Sequence, residues 1–406
     1  MKKVIRMLTS VVLILCMTAG LSISVPDTAY AASAYVQEYS DMIGQGGYIY
    51  YIRTSEKNGS AVIWRMKVAT GDTSKVVSEP KGIVRLIACG QQLYYTTAND
   101  DSQWEVRTCR LNGDDVQTVC EGSVCYADGE NVYYIRYVKG TQASLCAKAI
   151  DTGEVTTIKT AKTDQTIDYV CNIGGESYYY VYDRKTDKLA LYCLHTATNK
   201  MIRVAAEKRV ADGTSGLLVS DIRQINGELY YDFGSYEGSG GFWNGTIKKL
   251  TVDGKKKTVA KSVGDDQIIT GSRELYFSTS RGDNYKYNLK TGKKTKYSLK
   301  FEKDINYSVL GDKTYMADTS NSKKIVISRF TSGTDRETLT KNFISISFKQ
   351  KAGVSYGVSM KQVGIYNMIC VTGIDYTDPS YGWRGKLVSI NWYITDGAGT
   401  LLGSFQ

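Results

Sequence analysis

Short apolar and aromatic runs recur along the chain between polar turns, and no segment shows a sustained helical period. Short apolar runs that are rich in β-branched and aromatic residues and bounded by turns are typical of β-strands. One step, usually an apolar residue followed by two aromatic residues, occurs seven times, with central residues 44, 39, 45, 52, 46 and 39 positions apart. A period of this length predicts one structural unit per copy. The copies are Ile49-Tyr50-Tyr51, Leu93-Tyr94-Tyr95, Val132-Tyr133-Tyr134, Ser177-Tyr178-Tyr179, Leu229-Tyr230-Tyr231, Leu275-Tyr276-Phe277 and Thr314-Tyr315-Met316.

A polar turn follows each copy in phase with it. Asn-Gly and Asp-Gly favour two-residue hairpins in which both central residues have positive φ. Asn199 replaces Gly in one copy, and Asn tolerates the left-handed conformation better than most residues. We therefore expect a hairpin at each of these positions: Thr70-Gly71, Asn112-Gly113, Thr152-Gly153, Thr198-Asn199, Asp253-Gly254, Thr291-Gly292 and Ser332-Gly333.

Each unit divides into four short strands rich in β-branched and aromatic residues, and the whole chain has only three Pro. A four-stranded antiparallel unit of about 40–45 residues is the blade of a β-propeller. The sequence therefore predicts an all-β fold, a β-propeller of four-stranded antiparallel blades. The second unit shows the strands most distinctly, at Ile83–Ala88, Leu93–Thr97, Glu105–Leu111 and Val116–Cys120.

The number of blades depends on the C-terminal part of the chain. Clear units occupy residues 35–341, which leaves 406 − 341 = 65 residues. This remainder also reads as strands, among them Phe343–Phe348, and contains a further Asp396-Gly397 turn. We predict that residues 342–406 form a divergent eighth blade, and that residues 32–406 form a single propeller domain. The alternative is seven blades with an added terminal strand.

The tyrosine step and the turn that follows it resemble an uncharacterised Tyr-rich propeller family, which is common in exported proteins of Gram-positive anaerobes. The resemblance covers residues 36–341 and is carried by the repeat positions from Tyr50 to Tyr315 and from Gly71 to Gly333. More remotely, the chain is similar to TolB-type and low-density-lipoprotein-receptor-type propellers. The resemblance implies a fold and a class of binding scaffold, a domain of unknown function without assigned catalytic residues.

The N-terminal residues have the composition of a signal peptide. Lys2, Lys3 and Arg6 precede an apolar run, and the Ala29-Tyr30-Ala31 segment has the small residues that signal peptidase requires. Cys16 lies inside the apolar run without a small residue before it, which argues against a lipoprotein signal. No second apolar stretch reaches the length that spans a bilayer. We predict a signal peptide over residues 1–31 and a secreted protein, extracellular or loosely associated with the cell wall.

Charge favours anionic partners without identifying one. The chain has 51 Lys and Arg against 41 Asp and Glu, and removal of residues 1–31 leaves 48 − 40 = +8. A basic surface attracts wall polymers, acidic polysaccharides or lipid headgroups. No nucleic-acid-binding motif is present, and we expect a monomer.

Few residue types suited to catalysis or cofactor binding stand in a recognisable pattern. His195 is the only histidine, which excludes catalytic or metal centres built on several histidines. The 32 Tyr include the repeated pairs, which we assign to the core between blades. The eight cysteines after residue 31 lack a Cys-x-x-Cys motif and are expected as buried thiols, although Cys120 and Cys125 could form a disulfide. We predict no cofactor and no metal site.

Two loops contain aromatic residues that do not follow the repeat. Both are predicted between the second and third strands of their units, on the side of the propeller that also carries the connections between blades. Function in propellers tends to lie in such loops, although these aromatic residues could instead pack within their own blades. The candidate ligand-binding residues are Phe233, Tyr236, Phe242, Trp243, Tyr376, Tyr381, Trp383 and Arg384. A basic face on the opposite side comprises Lys255, Lys256, Lys257, Lys293 and Lys294.

Three functions are consistent with the sequence. The first is a non-catalytic extracellular binding module or scaffold that engages a cell-wall glycan, an anionic polymer or a protein partner through one propeller face. The second is a glycan-active enzyme with two or three carboxylates in the central pocket. The third is a purely structural surface protein. A cluster of carboxylates with raised pKa values would favour the enzyme.

The signal peptide can be tested directly. Cleavage after Ala31 should release a chain that begins at Ala32, because Ala29 and Ala31 supply the small residues of the cleavage site. N-terminal sequencing of the culture supernatant checks this. Recovery of the protein only from membranes, with Lys2 still present, would contradict the prediction.

Overall fold

A computed structural model describes the chain over residues 42–55, 58–137, 142–173, 175–208, 216–225, 227–237, 242–251, 255–264, 269–270, 274–279, 283–296, 305–310, 313–330, 339–363, 365–377 and 386–405. Almost all elements in these ranges are β-strands, accompanied by one 3-10 helix at Thr196–Thr198. Within the same ranges, no helix has the length and apolar character needed to cross a membrane.

The described strands form eight four-stranded sheets, numbered here in chain order, and each sheet uses four consecutive strands. Sheet 1 contains β1 (Met42–Gln45), β2 (Tyr48–Thr54), β3 (Ala61–Lys67) and β4 (Thr73–Glu79). Sheet 2 contains β5 (Ile83–Cys89), β6 (Gln92–Ala98), β7 (Trp104–Arg110) and β8 (Gln117–Glu121). Sheet 3 contains β9 (Ser123–Ala127), β10 (Asn131–Arg136), β11 (Ser144–Ala149) and β12 (Val155–Thr160). Sheet 4 contains β13 (Gln165–Ile173), β14 (Glu176–Asp183), β15 (Lys188–His195) and β16 (Lys200–Lys208).

The remaining four sheets follow the same order. Sheet 5 contains β17 (Leu218–Ile225), β18 (Glu228–Glu237), β19 (Phe242–Leu250) and β20 (Lys256–Val263). Sheet 6 contains β21 (Ile269–Thr270), β22 (Glu274–Ser278), β23 (Asn284–Asn288) and β24 (Lys294–Lys296). Sheet 7 contains β25 (Ile305–Leu310), β26 (Lys313–Asp318), β27 (Lys324–Phe330) and β28 (Leu339–Ser347). Sheet 8 contains β29 (Val354–Val363), β30 (Tyr366–Asp375), β31 (Lys386–Thr395) and β32 (Leu401–Phe405).

The chain divides into two compact units. Unit A takes in the described residues of Tyr35–Ala127, Ile269–Tyr276 and Lys286–Gln406, and unit B those of Asp128–Ile268 and Phe277–Tyr285.

In unit A the first strands of sheets 7, 8, 1 and 2 lie next to one another in that order. Four-stranded antiparallel sheets that pack face to face, with their first strands side by side, are the blades of a β-propeller. The predicted fold class is confirmed, whereas the number of blades and the single domain stay predictions.

The last sheet of the chain packs on the first. Met42, Ile49 and Met66 of sheet 1 share one buried cluster with Val363 and Met368 of sheet 8. Because every described sheet consists of consecutive strands, the described part of this seam contains side-chain packing and no exchanged strand. The strand predicted over Phe343–Phe348 is the fourth strand of sheet 7, since β28 pairs with β27, and sheet 8 therefore begins later than predicted.

The repeated tyrosines fill the space between sheets, as the repeat predicts. In unit B, Tyr178 and Tyr231 lie in one buried cluster with Leu191 and Phe233, between sheets 4 and 5. In unit A, Tyr50 and Tyr95 lie together in the cluster between sheets 1 and 2. The buried aromatic members of the repeat are Tyr50, Tyr51, Tyr94, Tyr95, Tyr133, Tyr134, Tyr178, Tyr179, Tyr230, Tyr231, Phe277 and Tyr315.

A buried carboxylate joins sheet 1 to sheet 2. Glu79, at the end of β4, accepts hydrogen bonds from the Tyr95 hydroxyl at 2.8 Å and from Arg107 Nη1 at 2.9 Å. Arg107 also donates from Nε to Glu105, at 2.6 Å. Burial raises the pKa of the Tyr95 hydroxyl, and its hydrogen bond to Glu79 raises that pKa further, so the hydroxyl keeps its proton.

Sheets 4 and 5 are joined in the same way. Glu207 of β16 accepts from the Tyr231 hydroxyl at 2.7 Å, from Lys248 Nζ at 2.6 Å and from Lys256 Nζ at 3.0 Å. Tyr231 and Lys248 are cross-strand partners, as are Tyr95 and Arg107 in sheet 2. The second tyrosine of the repeat thus does more than fill space. Its hydroxyl meets a carboxylate of the preceding sheet, and we call this arrangement the carboxylate bridge.

The hairpin turns differ in type from the prediction. Gly71 has a φ of 74°, and its N–H donates to Lys67, four residues earlier. Thr70 is not among the residues with positive φ, so the turn is longer than two residues and only its last residue is left-handed. Asn199 has a φ of 52° and confirms the predicted replacement of Gly. Gly254 lies outside the described residues.

The eight cysteines after residue 31 all lie in the described part of the chain and carry thiols without a disulfide. Cys120 is partly exposed and the other seven are buried. The expectation of buried thiols is therefore confirmed for these seven. Cys120 and Cys125 are not joined, although they flank the short turn at Gly122.

The carboxylate bridge predicts a pH-dependent loss of stability. Glu207→Gln should lower the free energy of unfolding by about 3 kcal/mol at neutral pH, because Lys248 would retain a largely buried charge without a counterion. Burial acts to raise the pKa of Glu207, but hydrogen bonds from Lys248, Tyr231 and Lys256 outweigh it and hold the pKa below its usual 4.5. The stabilisation is thus present above that value and is lost as pH falls through the lower folded pKa. The melting-temperature difference between variant and wild type should shrink in acid.

The matched control for this experiment is Glu121→Gln. Glu121 ends β8, the fourth strand of sheet 2, and Glu207 lies one residue before the end of β16, the fourth strand of sheet 4, but the side chain of Glu121 is exposed. The control should change the free energy of unfolding by no more than about 0.5 kcal/mol. Equal losses in the two variants would contradict the bridge.

Candidate functional site

The predicted aromatic loop of sheet 5 is for the most part a pair of strands. The ladder between β18 and β19 continues to the pair Glu237 and Phe242, so the loop prediction is wrong for residues 233–237 and 242–243. Glycine in this segment serves close packing. A Cβ atom at Gly245 would lie 2.2 Å from Trp243 Nε1 and 2.5 Å from Asp232 Oδ1, which no side chain permits.

Two of the predicted ligand-binding residues belong to the core. Phe233 is buried, and Trp243, 4% exposed, donates from Nε1 to Asp232 Oδ2 at 2.8 Å. The ring of Tyr236, which is partly exposed, stands edge-on to Trp243 with centroids 5.2 Å apart. Local packing, the alternative left open by the sequence, therefore accounts for Phe233 and Trp243. A ligand could reach these two side chains only if the hairpin opened.

The remaining predicted ligand-binding residues are not shown to be buried in the core. Tyr376 follows β30 and is 51% exposed. Phe242 begins β19, but its side chain is outside the description. Tyr381, Trp383 and Arg384 lie outside the described residues. A ligand-binding role stays a prediction for this group.

Exposed aromatic side chains in the described ranges nevertheless share one position in the sheets. Trp104 begins β7 of sheet 2, Tyr137 follows β10 of sheet 3, and Tyr376 follows β30 of sheet 8. Each lies beside the connection between the second and third strands, and their exposed fractions are 40%, 45% and 51%. We call this end of each sheet the aromatic end. Trp104 and Tyr137 escape sequence analysis because their loops are short and carry no second aromatic residue.

One member of the predicted basic face also makes contacts of its own. Lys256 is exposed, and its Nζ donates to the Ala206 carbonyl at 2.7 Å and to Glu207. Lys255 and Lys257 are exposed, next to the turn between the third and fourth strands of sheet 5. Lys293 and Lys294 are also exposed, next to the same turn of sheet 6. No contact in the described structure tests their role in binding.

A cluster of titratable side chains lies at the opposite end of sheet 4. Glu176 begins β14 and His195 ends β15, and the two are cross-strand partners. His195 Nδ1 lies 3.2 Å from Glu176 Oε1, and Cys193 Sγ donates to Glu176 Oε2 at 3.4 Å. The Tyr178 hydroxyl donates to the same Oε2 at 3.2 Å. We call Glu176, Cys193 and His195 the sheet 4 cluster.

The electrostatics of the cluster disfavour a nucleophilic thiol. Burial raises the pKa of Cys193, and the neighbouring Glu176 carboxylate raises it further. Burial also raises the pKa of Tyr178. A thiol becomes reactive when its pKa is lowered, as it is beside a cation. Cys193 therefore stays protonated and acts as a hydrogen-bond donor to Glu176.

The backbone around His195 is held from sheet 3. The Tyr133 hydroxyl lies 3.1 Å from Asn199 Oδ1, 3.4 Å from the Thr196 carbonyl and 3.0 Å from Asp128 Oδ2. Thr196 begins the 3-10 helix directly after His195, and Asn199 follows that helix. This turn is therefore fixed by a repeat tyrosine of the preceding sheet.

Sequence analysis misses the cluster, because Glu176 and Cys193 are 17 residues apart and belong to no known motif. A usable signal exists in the strand pairing. Once Glu176 is placed opposite His195, the period of two puts Tyr178 and Cys193 on the same face of the sheet.

Comparisons with known proteins add only a likeness in architecture. No protein-family model matches the chain, and no curated protein matches it. Oligopeptidase B from Leishmania major is similar over 86% of this chain at 10% identity with a TM-score of 0.48. The chain spans 55% of the length of that peptidase.

Two further solved structures are covered almost completely by this chain. BamB from Moraxella catarrhalis has a TM-score of 0.44 at 10% identity, over 85% of this chain and 96% of BamB. The β-propeller domain of the Trilobed protease from Pyrococcus furiosus has a TM-score of 0.39 at 10% identity, over 93% and 96%. At these values the matches say nothing of activity or partner.

Two tryptophans of this chain differ in burial, Trp243 at 4% and Trp104 at 40% exposure. Trp243→Ala should lower the free energy of unfolding by about 3–5 kcal/mol, because it leaves a cavity and removes the donor to Asp232. Trp104→Ala makes the same chemical change at a side chain that is 40% exposed and should cost far less, about 1 kcal/mol or below. Denaturant unfolding of both variants measures the difference. Similar losses would contradict the placement of Trp243 in the core.

Proposed function

We propose that the protein is a non-catalytic extracellular binding module or scaffold, exported and free or loosely associated with the cell wall. In this proposal the aromatic end of the blades engages a cell-wall glycan, an anionic polymer or a protein partner. The observation that carries the proposal is the exposure of Trp104, Tyr137 and Tyr376 at corresponding positions of three sheets.

Exposed aromatic residues support binding for a physical reason. Tyr and Trp present large rigid apolar surfaces together with one polar group, which suits them to surfaces that are partly dry and partly wet. They are also the residues that contribute most to binding when a partner covers them. In unit A, Trp104 and Tyr376 stand at the aromatic end of sheets 2 and 8, where they would be available to such a partner.

The buried carboxylates of the described chain support a non-catalytic role. Glu79 and Glu207 form the carboxylate bridges, and Asp232 accepts from Trp243. Where hydrogen bonds shift a carboxyl pKa, they shift it down: backbone and side-chain donors lower the pKa values of Asp183 and Asp396. A general acid of a glycosidase requires the opposite shift. The glycan-active enzyme and the purely structural surface protein remain the two alternatives that experiment should separate.

The binding test compares two double variants. Trp104→Ala with Tyr376→Ala should weaken binding at least about tenfold, because each removes an exposed aromatic contact. The control, Ile202→Ala with Ile365→Ala, removes two exposed aliphatic side chains outside the aromatic end and should bind as wild type. The probes are a glycan array, insoluble cell wall and a soluble acidic polysaccharide, each measured with the chain from Ala32 onward.

The results distinguish the three functions. Loss of binding in the aromatic variant alone supports the proposed face. Loss only when Lys255, Lys257, Lys293 and Lys294 are neutralised would place binding on the basic face and overturn the proposal. Release of sugar fragments from the glycan probes would favour the enzyme, and wild type that binds no probe and captures no protein would favour the structural role.

A further inference from the structure

The sheet 4 cluster combines three kinds of metal ligand on one rigid surface. Glu176 supplies a carboxylate, Cys193 a thiol and His195 an imidazole, and their donor atoms all lie within 4.8 Å of one another. Glu176 lies on β14 and the other two residues lie on β15, and these two strands are paired with each other along their whole length. Strand β14 is also paired with β13 on its other side. Ligands on paired strands hold their positions better than ligands on loops.

Two distances within the cluster, each to a different oxygen of Glu176, are close to those of a tetrahedral metal site. Zinc bonds of about 2.1 Å to nitrogen and oxygen and about 2.3 Å to sulfur place tetrahedral ligand atoms about 3.4–3.6 Å apart. His195 Nδ1 is 3.2 Å from one oxygen of Glu176, and Cys193 Sγ is 3.4 Å from the other. Small side-chain adjustments would open these contacts enough to admit an ion.

Sheet 5 shows what the same position holds without such ligands. There Tyr230 donates to Glu228 at 3.2 Å, as Tyr178 donates to Glu176. The residue opposite Tyr230 is Lys249, which forms an ion pair with Glu228. In sheet 4 the residue opposite Tyr178 is Cys193. The repeat thus supplies a Tyr-oriented carboxylate in both sheets, and only in sheet 4 do a thiol and an imidazole stand beside it.

We propose that Glu176, Cys193 and His195 bind a divalent transition-metal ion of the zinc class, with one coordination position open to solvent. The side chains of His195 and Glu176 are 30% and 37% exposed, which gives the ion a path from solvent, whereas Cys193 is buried. Three protein ligands and an open position are typical of zinc sites that bind a further ligand.

The surrounding residues fit this role. Tyr178 donates to Glu176 and would orient the carboxylate on the metal, as outer-shell hydrogen bonds commonly do. On binding, the Cys193 thiol releases its proton to solvent and its hydrogen bond to Glu176 is replaced by a metal–sulfur bond. The soft thiolate selects zinc-class ions over Mg²⁺ and Ca²⁺, which prefer oxygen ligands.

The first test uses the wild-type chain without a histidine tag. Because His195 is the only histidine, its imidazole nitrogen resonances in a ¹⁵N-histidine-labelled sample report on the cluster alone. One equivalent of Zn²⁺ should shift them, and Co²⁺ should produce a thiolate-to-metal charge-transfer band. Equal concentrations of Mg²⁺ or Ca²⁺ should do neither. Unchanged histidine resonances with Zn²⁺, or a Co²⁺ spectrum without the thiolate band, would overturn the proposal whatever the variants do.

The second test assigns the ligands. Cys193→Ser and His195→Ala should each weaken Zn²⁺ binding by more than the roughly tenfold loss that follows removal of an outer-shell partner. The control is Cys146→Ser, because Cys146 is a buried thiol in the third strand of sheet 3 and should leave the affinity unchanged. Equal Zn²⁺ affinity in wild type and all three variants would place the metal elsewhere and refute the site. Circular dichroism confirms folding, and Glu176→Gln provides a further ligand change should one variant unfold.

Discussion

Contact between neighbouring sheets is the constraint on which the rest of this structure depends. A four-stranded sheet has two faces, and neither can be buried by the sheet itself, so each blade needs the next. Tyrosines of the aromatic step are among the largest fully buried side chains, and two carboxylates of the described chain join neighbouring sheets as well. Glu79 and Glu207 accept hydrogen bonds from donors on the following sheet. Burial of a carboxylate costs too much free energy unless such donors compensate for the lost water. The hydrogen bond from a tyrosine hydroxyl to the carboxylate of the preceding sheet also fixes how deeply the tyrosine ring is inserted between the two sheets. Apolar packing and hydrogen bonding therefore specify the same position of the ring.

Other tyrosines of the repeat position polar groups at the ends of the sheets. Tyr178 lies in the core with its ring and orients Glu176 with its hydroxyl, so a structural residue positions a titratable one. Tyr133 acts similarly on the turn after His195. The repeat therefore provides tyrosine hydroxyl groups at regular positions, and the sheets differ in the residues that lie beside these hydroxyl groups.

The fold could be predicted from the sequence because its signals are local and repeated. Tyr94 and Tyr95 mark a second strand wherever they stand in the chain, and Asn199 could be recognised as a glycine substitute from its place in the series. The carboxylate bridge could not be predicted, because Glu79 and Glu121 end equivalent strands and only the three-dimensional neighbours separate the buried one from the exposed one. The predicted loop position of Trp243 is wrong for a related reason. Glycines beside an aromatic residue suggest a loop, yet Gly245 is small because an indole and a carboxylate lie against its strand. Trp104, for its part, carries no sequence signal of exposure.

The seam between sheets 8 and 1 differs in kind from the interior of any sheet. Among the described residues, separation of Met42 and Ile49 from Val363 and Met368 would break no strand ladder, because no described strand crosses from one sheet to the other. Its cohesion is that of apolar surface removed from water, which weakens on cooling, whereas the ladders within each sheet rest on hydrogen bonds that water can replace only one by one. Cooling therefore weakens the packing between sheets 8 and 1 rather than their ladders, and these two sheets can separate and repack without re-pairing a single described strand.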